Sequence, residues 1–140
     1  MEKSFYIIKP EAFANRIAIQ EKIISNKLKI VSLKTILLPE FIITQIYPNM
    51  SSDLYSATMK YLRCGFSELG IVEGENAISL LLEIGGKDTN PNKCEIGTIR
   101  NMFGDKVEVI YGNAVYFKNG FHRSHNYIEA VRDIELYEKC

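Results

Sequence analysis

The sequence has few of the features that staple small secreted domains or bind structural metals. It contains only three cysteines, the number is odd, and no two of them form a C-x-x-C pair. We therefore expect reduced thiols rather than a disulfide framework, and three Cys with two His at this spacing give no zinc pattern. No run is long and apolar enough to predict a signal peptide or a membrane span. These absences predict a cytoplasmic protein without a membrane partner.

An excess of charge of either sign is also absent. Lys plus Arg (17) equals Asp plus Glu (17), so a basic nucleic-acid-binding coat is not expected and an anionic ligand must be held by a local cluster. Hydrophobic residues make up 46% of the 140 residues and charged residues 24%, the balance of a globular protein with an ordinary core. Without repeats or linkers, residues 1–140 are expected to form one domain.

The pattern of apolar residues predicts helices alternating with strands, in the order β-α-β-α(α)-β-α-loop-β-α. This order predicts an α+β fold, a ferredoxin-like sandwich with an antiparallel four-stranded sheet covered by helices. Ile128, Val131, Ile134 and Leu136 are expected to face the core from the last helix. Such a fold carries enzymes, RNA binders and metabolite sensors, so function must be inferred from a site. The predicted strands are 4–9, 28–38, 66–72 and 107–117, and the predicted helices are 11–27, 39–47, 53–63, 76–84 and 126–137.

Four short motifs carry side chains that could do chemistry. They are IIKPEAF with Lys9, KDTNP with Thr89, GTIRNMFG with Arg100, and NGFHRSHN with Asn119 and His122. Taken singly, each has an ordinary interpretation: a solvated strand end, a turn, a surface ion pair, or a helix cap. Together they supply the fixed cations and the amide and hydroxyl donors that a phosphate site needs.

Histidine adds a nucleophile to this set. A neutral imidazole can accept a phosphoryl group on a ring nitrogen, and phosphoryl transfer rests mainly on positioning and charge stabilisation. The chain has neither a G-x-x-x-x-G-K-[ST] loop nor a kinase-type glycine-rich loop. A phosphotransferase built from these motifs would therefore follow another design.

In this order the motifs resemble the nucleoside diphosphate kinase family. The resemblance runs collinearly from Ser4 to Tyr137, through IKPEA, TNP, GTIR and N-x-x-H-x-S before a final helix. The tail HRSHNYIEAVRDIELYE is similar to the family's HGSDSxxxAxxEIxxxF pattern, with Ala130, Asp133 and Ile134 in matching places.

The resemblance implies a reaction, a metal and an assembly. The family moves the terminal phosphate of a nucleoside triphosphate to a nucleoside diphosphate through a phosphohistidine, with Mg²⁺ on the nucleotide phosphates, and is usually a hexamer or tetramer. It implies His122 as nucleophile, Lys9, Arg100 and Thr89 on the phosphates, and Asn119 on the sugar. Further residues implied near the site are Tyr55, stacking on the base, and Tyr47, Arg123, Ser124 and Asp133 in support.

The chain departs from the family at several of these positions. The family's arginine in the helix before TNP falls here on Leu82 or Glu83, and Arg63 or Arg123 would have to supply the missing charge. Arg123 itself replaces a glycine, and His125 replaces an aspartate. The carboxylate eleven residues after the histidine is Asp133 rather than Glu, with a shorter reach.

The segment between Arg100 and His122 is also longer than in the family. It contains the run NAVY, similar to the family's N-A-V-H, and on that alignment Tyr116 would replace the nucleophile. The distance from His122 to Ala130 and Ile134 matches the family better, so we favour His122 and interpret residues 107–117 as an inserted hairpin.

Two other functions stay open at this point. A catalytically impaired nucleotide-binding or assembly module of the same fold is favoured by the lost helix arginine. An RNA-binding or small-ligand-sensing domain is less favoured, because the chain shows neither a basic face nor an RNP-like run.

Overall fold

A computed structural model describes all residues 1–140, in six strands and six α-helices. Two short 3-10 helices, Pro10–Asn15 and Pro91–Lys93, lie in the connections. The strands are β1 Glu2–Ile8, β2 Lys29–Ile36, β3 Ser67–Gly74, β4 Glu108–Tyr111, β5 Ala114–Phe117 and β6 Phe121–Arg123. The helices are α1 Arg16–Ser25, α2 Glu40–Ile46, α3 Ser52–Leu62, α4 Ala77–Gly85, α5 Ile99–Phe103 and α6 Tyr127–Glu138.

The main sheet has the strand order β2-β3-β1-β6, and all its neighbours pair antiparallel. One core, on the α1 and α4 face, gathers side chains such as Tyr6, Ile19 and Leu81. The other core, on the α2, α3 and α6 face, is centred on Phe5 and Ile43. Each face of the sheet buries alternate residues of the central strand β1, which explains the apolar run Phe5–Ile8 in its second half. The predicted ferredoxin-like sandwich is confirmed.

The predicted fourth strand of this sheet is corrected by the structure. Residues 107–117 do not join it but form a separate two-stranded hairpin, β4–β5, while the edge strand is the three-residue β6. The FHR segment is too short to show alternation, and its His and Arg carry no strand signal, so periodicity could not find it. The hairpin prediction for 107–117 itself is correct.

The buried face of α6 differs in part from the prediction: Leu136 is buried and Ile134 packs against the core as predicted, but the other two residues do not. Ile128 is 80% exposed and Val131 is also exposed, whereas Ala130, Asp133 and Tyr137 face the core. These three recur at i, i+3 and i+7, so they define the inward stripe and turn Ile128 outward. A buried carboxylate on this stripe is a polar group that hydrophobic patterning would place on the surface. No helix of the chain is long and apolar enough to cross a membrane.

The register of β6 on β1 decides where the two polar residues of β6 lie. His122 pairs with Ile7, and Arg123 pairs with Tyr6. Successive residues of a strand point to opposite faces, so His122 lies on the α2 and α6 face and Arg123 starts on the α1 and α4 face. Because β6 is the edge strand, a long side chain on either face can reach around it.

The β4–β5 hairpin is fastened to α3 at two points. The ring of Tyr116 stacks on Tyr61, with centroids 5.3 Å apart. At the hairpin turn, the Asn113 amide donates to Oδ2 of Asp53 over 2.8 Å. Gly112 has a φ of 58° in this turn and lies so close to Asp53 that a side chain there would collide with the carboxylate. The hairpin thus extends the wall that α3 begins.

Candidate active site

His122 is buried on β6, with 4% of its surface exposed, between a carboxylate and a phenol. Its Nε2 lies 3.4 Å from Oδ2 of Asp133, and its Nδ1 lies 3.3 Å from the hydroxyl of Tyr47. An ionised carboxylate can only accept, so Asp133 selects the tautomer with hydrogen on Nε2. The lone pair is then on Nδ1, the nitrogen that meets Tyr47 on the cavity side.

The environment of His122 keeps its imidazole neutral at pH 7. Burial lowers the pKa of His122 to about 4, and the positive charges of Lys9 and Arg123 act in the same direction. The hydrogen bond and the charge of Asp133 oppose this shift only in part. A neutral imidazole with its lone pair on Nδ1 is the form that can attack phosphorus.

Asp133 reaches His122 despite its short side chain. Oδ2 also accepts a hydrogen bond from Oγ of Ser124 over 2.8 Å, and Oδ1 accepts from Nε of Arg132 over 2.9 Å. Burial alone would raise the pKa of Asp133, but the hydrogen bonds from His122, Ser124 and Arg132 hold it below its usual value. The carboxylate is therefore ionised and oriented, so the shorter side chain at this position still contacts the imidazole.

Lys9 connects three of the four motifs. Its Nζ donates to Oδ1 of Asn119 over 2.8 Å, and Nδ2 of Asn119 donates to the carbonyl of Thr89 over 3.1 Å. The Lys9 amide also donates to the carbonyl of Gly120 over 2.8 Å, which ties the end of β1 to the segment before β6. Burial lowers the pKa of Lys9 to about 7. A nearby carboxylate, Glu11, only partly opposes this shift.

Arg100 is 6% exposed and is anchored by backbone carbonyls rather than by a carboxylate. Its Nε donates to the carbonyl of Phe121 over 2.9 Å, and its Nη1 donates to the carbonyl of Asp88 over 2.9 Å. The local sequence positions it, because Thr98 caps α5 and places Arg100 in the first turn. Burial lowers the pKa of Arg100 below its usual value, although a guanidinium stays charged at neutral pH.

Arg123 is 1% exposed and is the largest fully buried side chain of the protein. Its side chain passes the end of α4, where a β-carbon at Gly85 would lie 3.2 Å from Cδ of Arg123, a tight contact. Nη2 donates to the carbonyl of Lys87 over 3.4 Å, and Nε has no partner. Burial, followed by repulsion from Arg100, lowers the pKa of Arg123 to about 9. The guanidinium therefore keeps unused hydrogen-bonding capacity beside the histidine.

None of the cations Lys9, Arg100 and Arg123 has a carboxylate within 4.0 Å. The three ion pairs of the protein join His122 with Asp133, His125 with Glu129, and Arg132 with Asp133. Burying cations without counterions costs free energy, and a missing anionic ligand explains why a fold would retain them.

The three cations and His122 line one cavity of about 520 Å³. Its lining combines the polar side chains near the imidazole with apolar side chains from the end of α2, from α3 and from the hairpin strand β5. The apolar residues include Ile46, Leu54, Val115 and Phe117. A molecule with both a polyanionic and a flat apolar part matches this division.

The structure brings together most of the residues that the motifs predicted. Those that line the cavity are Lys9, Tyr47, Thr89, Arg100, Asn119, His122 and Arg123. Ser124 and Asp133 lie behind the imidazole and act through it. Tyr55 is not part of the lining, because its hydroxyl donates to Glu40 and turns the ring away. Its neighbours on α3, Leu54 and Thr58, occupy the wall instead.

Several residues that line the cavity were missed from the sequence, among them Leu54, Thr58, Lys87 and Glu129. Only Lys87 had a usable signal, as a cation two residues before Thr89 in a loop after two glycines. The others depend on which face of α3 and of α6 turns inward.

Neither Leu82 nor Glu83, the two candidate positions of the missing helix arginine, lines the main cavity. Glu83 is exposed and lines a separate, smaller cavity of about 290 Å³, so its carboxylate does not repel a ligand beside His122. Of the two candidates for a substitute cation, Arg63 donates to the carbonyl of Leu38 and is not part of the main lining. Arg123 does line the cavity.

Tyr116, the alternative nucleophile, also touches the cavity. Its hydroxyl is buried without a hydrogen-bond partner, and burial raises the pKa of the phenol far above its usual value. A phenol held protonated and without an adjacent base is a poor nucleophile. His122, neutral and oriented by Asp133, has the chemistry that Tyr116 lacks.

An antiparallel α+β sandwich with a neutral histidine among three unpaired cations defines a histidine-dependent phosphotransferase. The sequence profile of the family described as nucleoside diphosphate kinase matches residues 2–139. The chain belongs to the nucleoside diphosphate kinase family. It is 30% identical to the enzyme of that name from Ehrlichia canis over 140 residues, covering 98% of this chain and 92% of the relative. The Methanocaldococcus jannaschii enzyme is also 30% identical over 141 residues, with 99% and 94% covered.

Solved structures of the family have the same fold. The apo enzyme of Encephalitozoon cuniculi superposes with a TM-score of 0.82 at 24% identity, covering 98% of this chain and 88% of that one. A Halobacterium salinarum enzyme in complex with CDP gives 0.79 at 22% identity, with 97% and 86% covered. A Borrelia burgdorferi enzyme, described as a transition-state mimic with vanadate and ADP, gives 0.76 at 22% identity, with 97% and 86% covered.

Proposed function

We propose that this nucleoside diphosphate kinase is catalytically active and uses His122 as its phosphate carrier. The observation that carries the proposal is the neutral, oriented imidazole of His122 within one cavity lined by three buried cations that lack counterions. A polyphosphate would supply the missing negative charge. The relatives named above support a nucleoside as the rest of that ligand.

In the first half-reaction, Nδ1 of His122 attacks the terminal phosphorus of a nucleoside triphosphate. The bond from that phosphorus to the bridging oxygen breaks, its electron pair stays on the departing diphosphate, and a P–N bond forms. Asp133 holds the Nε2 hydrogen throughout, which stabilises the positive charge that develops on the ring. Lys9, Arg100 and Arg123 stabilise the charge on the phosphate oxygens. A second diphosphate then reverses these steps and leaves as a triphosphate.

The same set of residues suggests how the nucleotide lies. Thr89 and Asn119 offer hydroxyl and amide groups to the phosphates and the sugar, and Asn119 is already fixed by Lys9. The base would face the apolar lining from α3 and β5. Apolar and aromatic walls contact the faces of every base, so little selectivity between bases is expected.

Kinases of this family generally use a divalent metal ion. The chain has no group of three metal-ligating side chains, and Glu129 is the only carboxylate in the cavity lining. This donor set fits an ion that arrives on the substrate phosphates and keeps its waters, which is the habit of Mg²⁺. We therefore propose Mg²⁺, which would neutralise charge on the phosphates while the protein supplies the fixed cations.

A single-turnover experiment tests the proposal. The protein is mixed with γ-labelled ATP and Mg²⁺ without an acceptor, and the label on the chain is followed beside His122→Ala. We expect an acid-labile, base-stable label that the variant lacks and that any nucleoside diphosphate discharges. A protein that binds nucleotide but takes up no label would instead be an impaired binding or assembly module.

The assembly state and the cellular location stay predictions. A homo-oligomer, hexamer or tetramer, is supported by apolar side chains exposed on the edge strand β2 and on α1, among them Leu33 and Ile24. Light scattering on the purified protein tests this, and a monomer at micromolar concentration would contradict it. We retain one domain over residues 1–140 and a cytoplasmic location as expectations.

A further inference from the structure

We propose that Arg132 is a positioning residue for His122. It binds one oxygen of Asp133 and so turns the other oxygen toward the imidazole, and its charge helps to keep that imidazole neutral. The proposal rests on the proposed role of His122, and it concerns a side chain that neither lines the cavity nor belongs to the motifs. Arg132 precedes Asp133 on α6, and its side chain is 30% exposed.

The geometry of the Asp133 carboxylate carries the first step. Nε of Arg132 donates a hydrogen bond to Oδ1 over 2.9 Å, and Nη2 lies 2.8 Å from the same oxygen as part of the ion pair, without a hydrogen bond of its own. The other oxygen, Oδ2, accepts from Oγ of Ser124 at 2.8 Å and faces Nε2 of His122 at 3.4 Å. With Oδ1 occupied by the guanidinium, Oδ2 is the oxygen left for the ring, so Arg132 fixes the rotation of the carboxylate.

The second step concerns charge. Asp133 is fully buried, and a buried carboxylate beside an imidazole would normally draw a proton onto the ring. The guanidinium of Arg132 supplies a permanent counter-charge within 2.8 Å, so Asp133 can stay ionised without help from a charged imidazole. Arg132 has no other carboxylate within 4.0 Å, so this pairing is its only ion pair.

The other groups that face His122 do not replace this function. Tyr47 contacts Nδ1 as a neutral phenol, whose pKa burial raises. Lys9 and Arg123 lower the pKa of the imidazole from the cavity side but touch neither oxygen of Asp133. Glu129, the α6 carboxylate that lines the cavity, is engaged by His125. Whether the imidazole of His122 is charged or neutral therefore depends on how far Arg132 neutralises the negative charge of Asp133.

The experiment is an NMR titration of the two histidine rings in the intact protein, in wild type and Arg132→Gln. His125, exposed on the surface, serves as an internal reference. We expect the pKa of His122 to rise by on the order of one unit in Arg132→Gln. Arg132→Lys keeps the charge but loses the hydrogen bond from Nε, and should give a smaller rise. Lys139→Gln removes a positive charge from an exposed position at the end of the same helix and should leave His122 unchanged.

A kinetic measurement separates positioning from a loss of fold. In Arg132→Gln, the acid side of the pH profile of the single-turnover labelling rate should shift to higher pH by the same amount as the titration. Above the new midpoint the labelling rate should return to the wild-type value. A folded Arg132→Gln whose His122 titrates as in wild type would overturn the proposal, as would an equal shift in Lys139→Gln. If wild type takes up no label while the titration still shifts, the proposed function fails and the positioning by Arg132 stands.

Discussion

Nζ of Lys9 donates to Oδ1 of Asn119 over 2.8 Å, and no other side chain accepts a hydrogen bond from this buried ammonium. The two residues are 110 positions apart in the chain and come from different motifs. A neutral amide orients the lysine without neutralising it. Below about pH 7 the charge is therefore held in place for an anion that arrives later, and burying it destabilises the free protein.

Lys9→Met should lower the catalytic rate and raise the free energy of unfolding. Loss of a charged contact from a preorganised phosphate site is expected to lower the rate by about 10²–10³-fold. At pH 6.5 the same variant should unfold at a higher denaturant concentration than wild type, because it removes a buried uncompensated charge. Turnover assays and urea denaturation measure the two effects.

The stability difference should depend on pH in a defined direction. In the unfolded chain the pKa of Lys9 has its ordinary value of 10.5, whereas in the folded protein burial lowers the pKa to about 7. Between these values the unfolded state binds more protons, so wild-type stability gains with rising pH. The advantage of Lys9→Met should therefore shrink between pH 7 and 10. An advantage that stays constant would show that Lys9 is charged throughout this range.

Nucleotide binding should take up protons at pH 8. Lys9 is largely neutral in the empty cavity at that pH, because burial lowers its pKa to about 7. Nearby phosphates raise the pKa of an ammonium, so the lysine should gain a proton on binding. Calorimetry in two buffers of different ionisation enthalpy measures this uptake. Lys9→Met serves as the control, and equal enthalpies in both buffers for wild type would contradict the prediction.

Arg123 should behave as a phosphate-binding residue and Arg63 should not. Arg123→Gln removes a charged donor beside His122 and is expected to lower kcat/KM by about 10- to 100-fold. Arg63→Gln is the matched control, since Arg63 bonds a backbone carbonyl outside the cavity. Steady-state kinetics with ATP and a diphosphate acceptor compare the two. Similar losses in both variants would remove Arg123 from the site.

Tyr116→Phe should keep the phosphate carrier. The substitution deletes a buried hydroxyl that has no hydrogen-bond partner, so little stability should be lost. The acid-labile label should form on the variant at close to the wild-type level, because the nucleophile is His122. Loss of the label in a folded Tyr116→Phe protein would instead favour the alignment in which the tyrosine occupies the carrier position.

How much of this site was predictable depends on the kind of signal each residue leaves in the sequence. Lys9, Arg100, Asn119 and His122 stand in short motifs with fixed local geometry, so their grouping was predictable. Tyr55 was predicted in the cavity because spacing along α3 could not show which side of the helix turns inward.

Two further errors have the same origin. The strand β6 is set by pairing with β1 across more than a hundred residues, and no local pattern in FHR reveals it. The inward stripe of α6 contains Asp133, whose burial depends on partners from other elements. Tertiary contacts decide both features, and a single sequence does not display them.

The β4–β5 hairpin should affect the nucleoside part of the ligand and not the phosphates. Phe117 lines the cavity from β5, on the apolar wall, whereas the cations come from other elements. Loss of one aromatic contact to a base costs about 1–3 kcal/mol. Phe117→Ala should therefore weaken ATP binding by roughly 5- to 100-fold while inorganic tripolyphosphate binds as to wild type.

Phe66→Ala is the matched control, since Phe66 is 59% exposed and packs on Phe13 away from the cavity. Asp53→Ala tests the same wall by another route, because it removes the acceptor that holds the hairpin turn to α3. Phe117→Ala and Asp53→Ala should both reduce the preference for ATP over tripolyphosphate, and Phe66→Ala should not. Equal losses for the two ligands would mean that the hairpin supports the whole cavity and does not form a separate contact for the base.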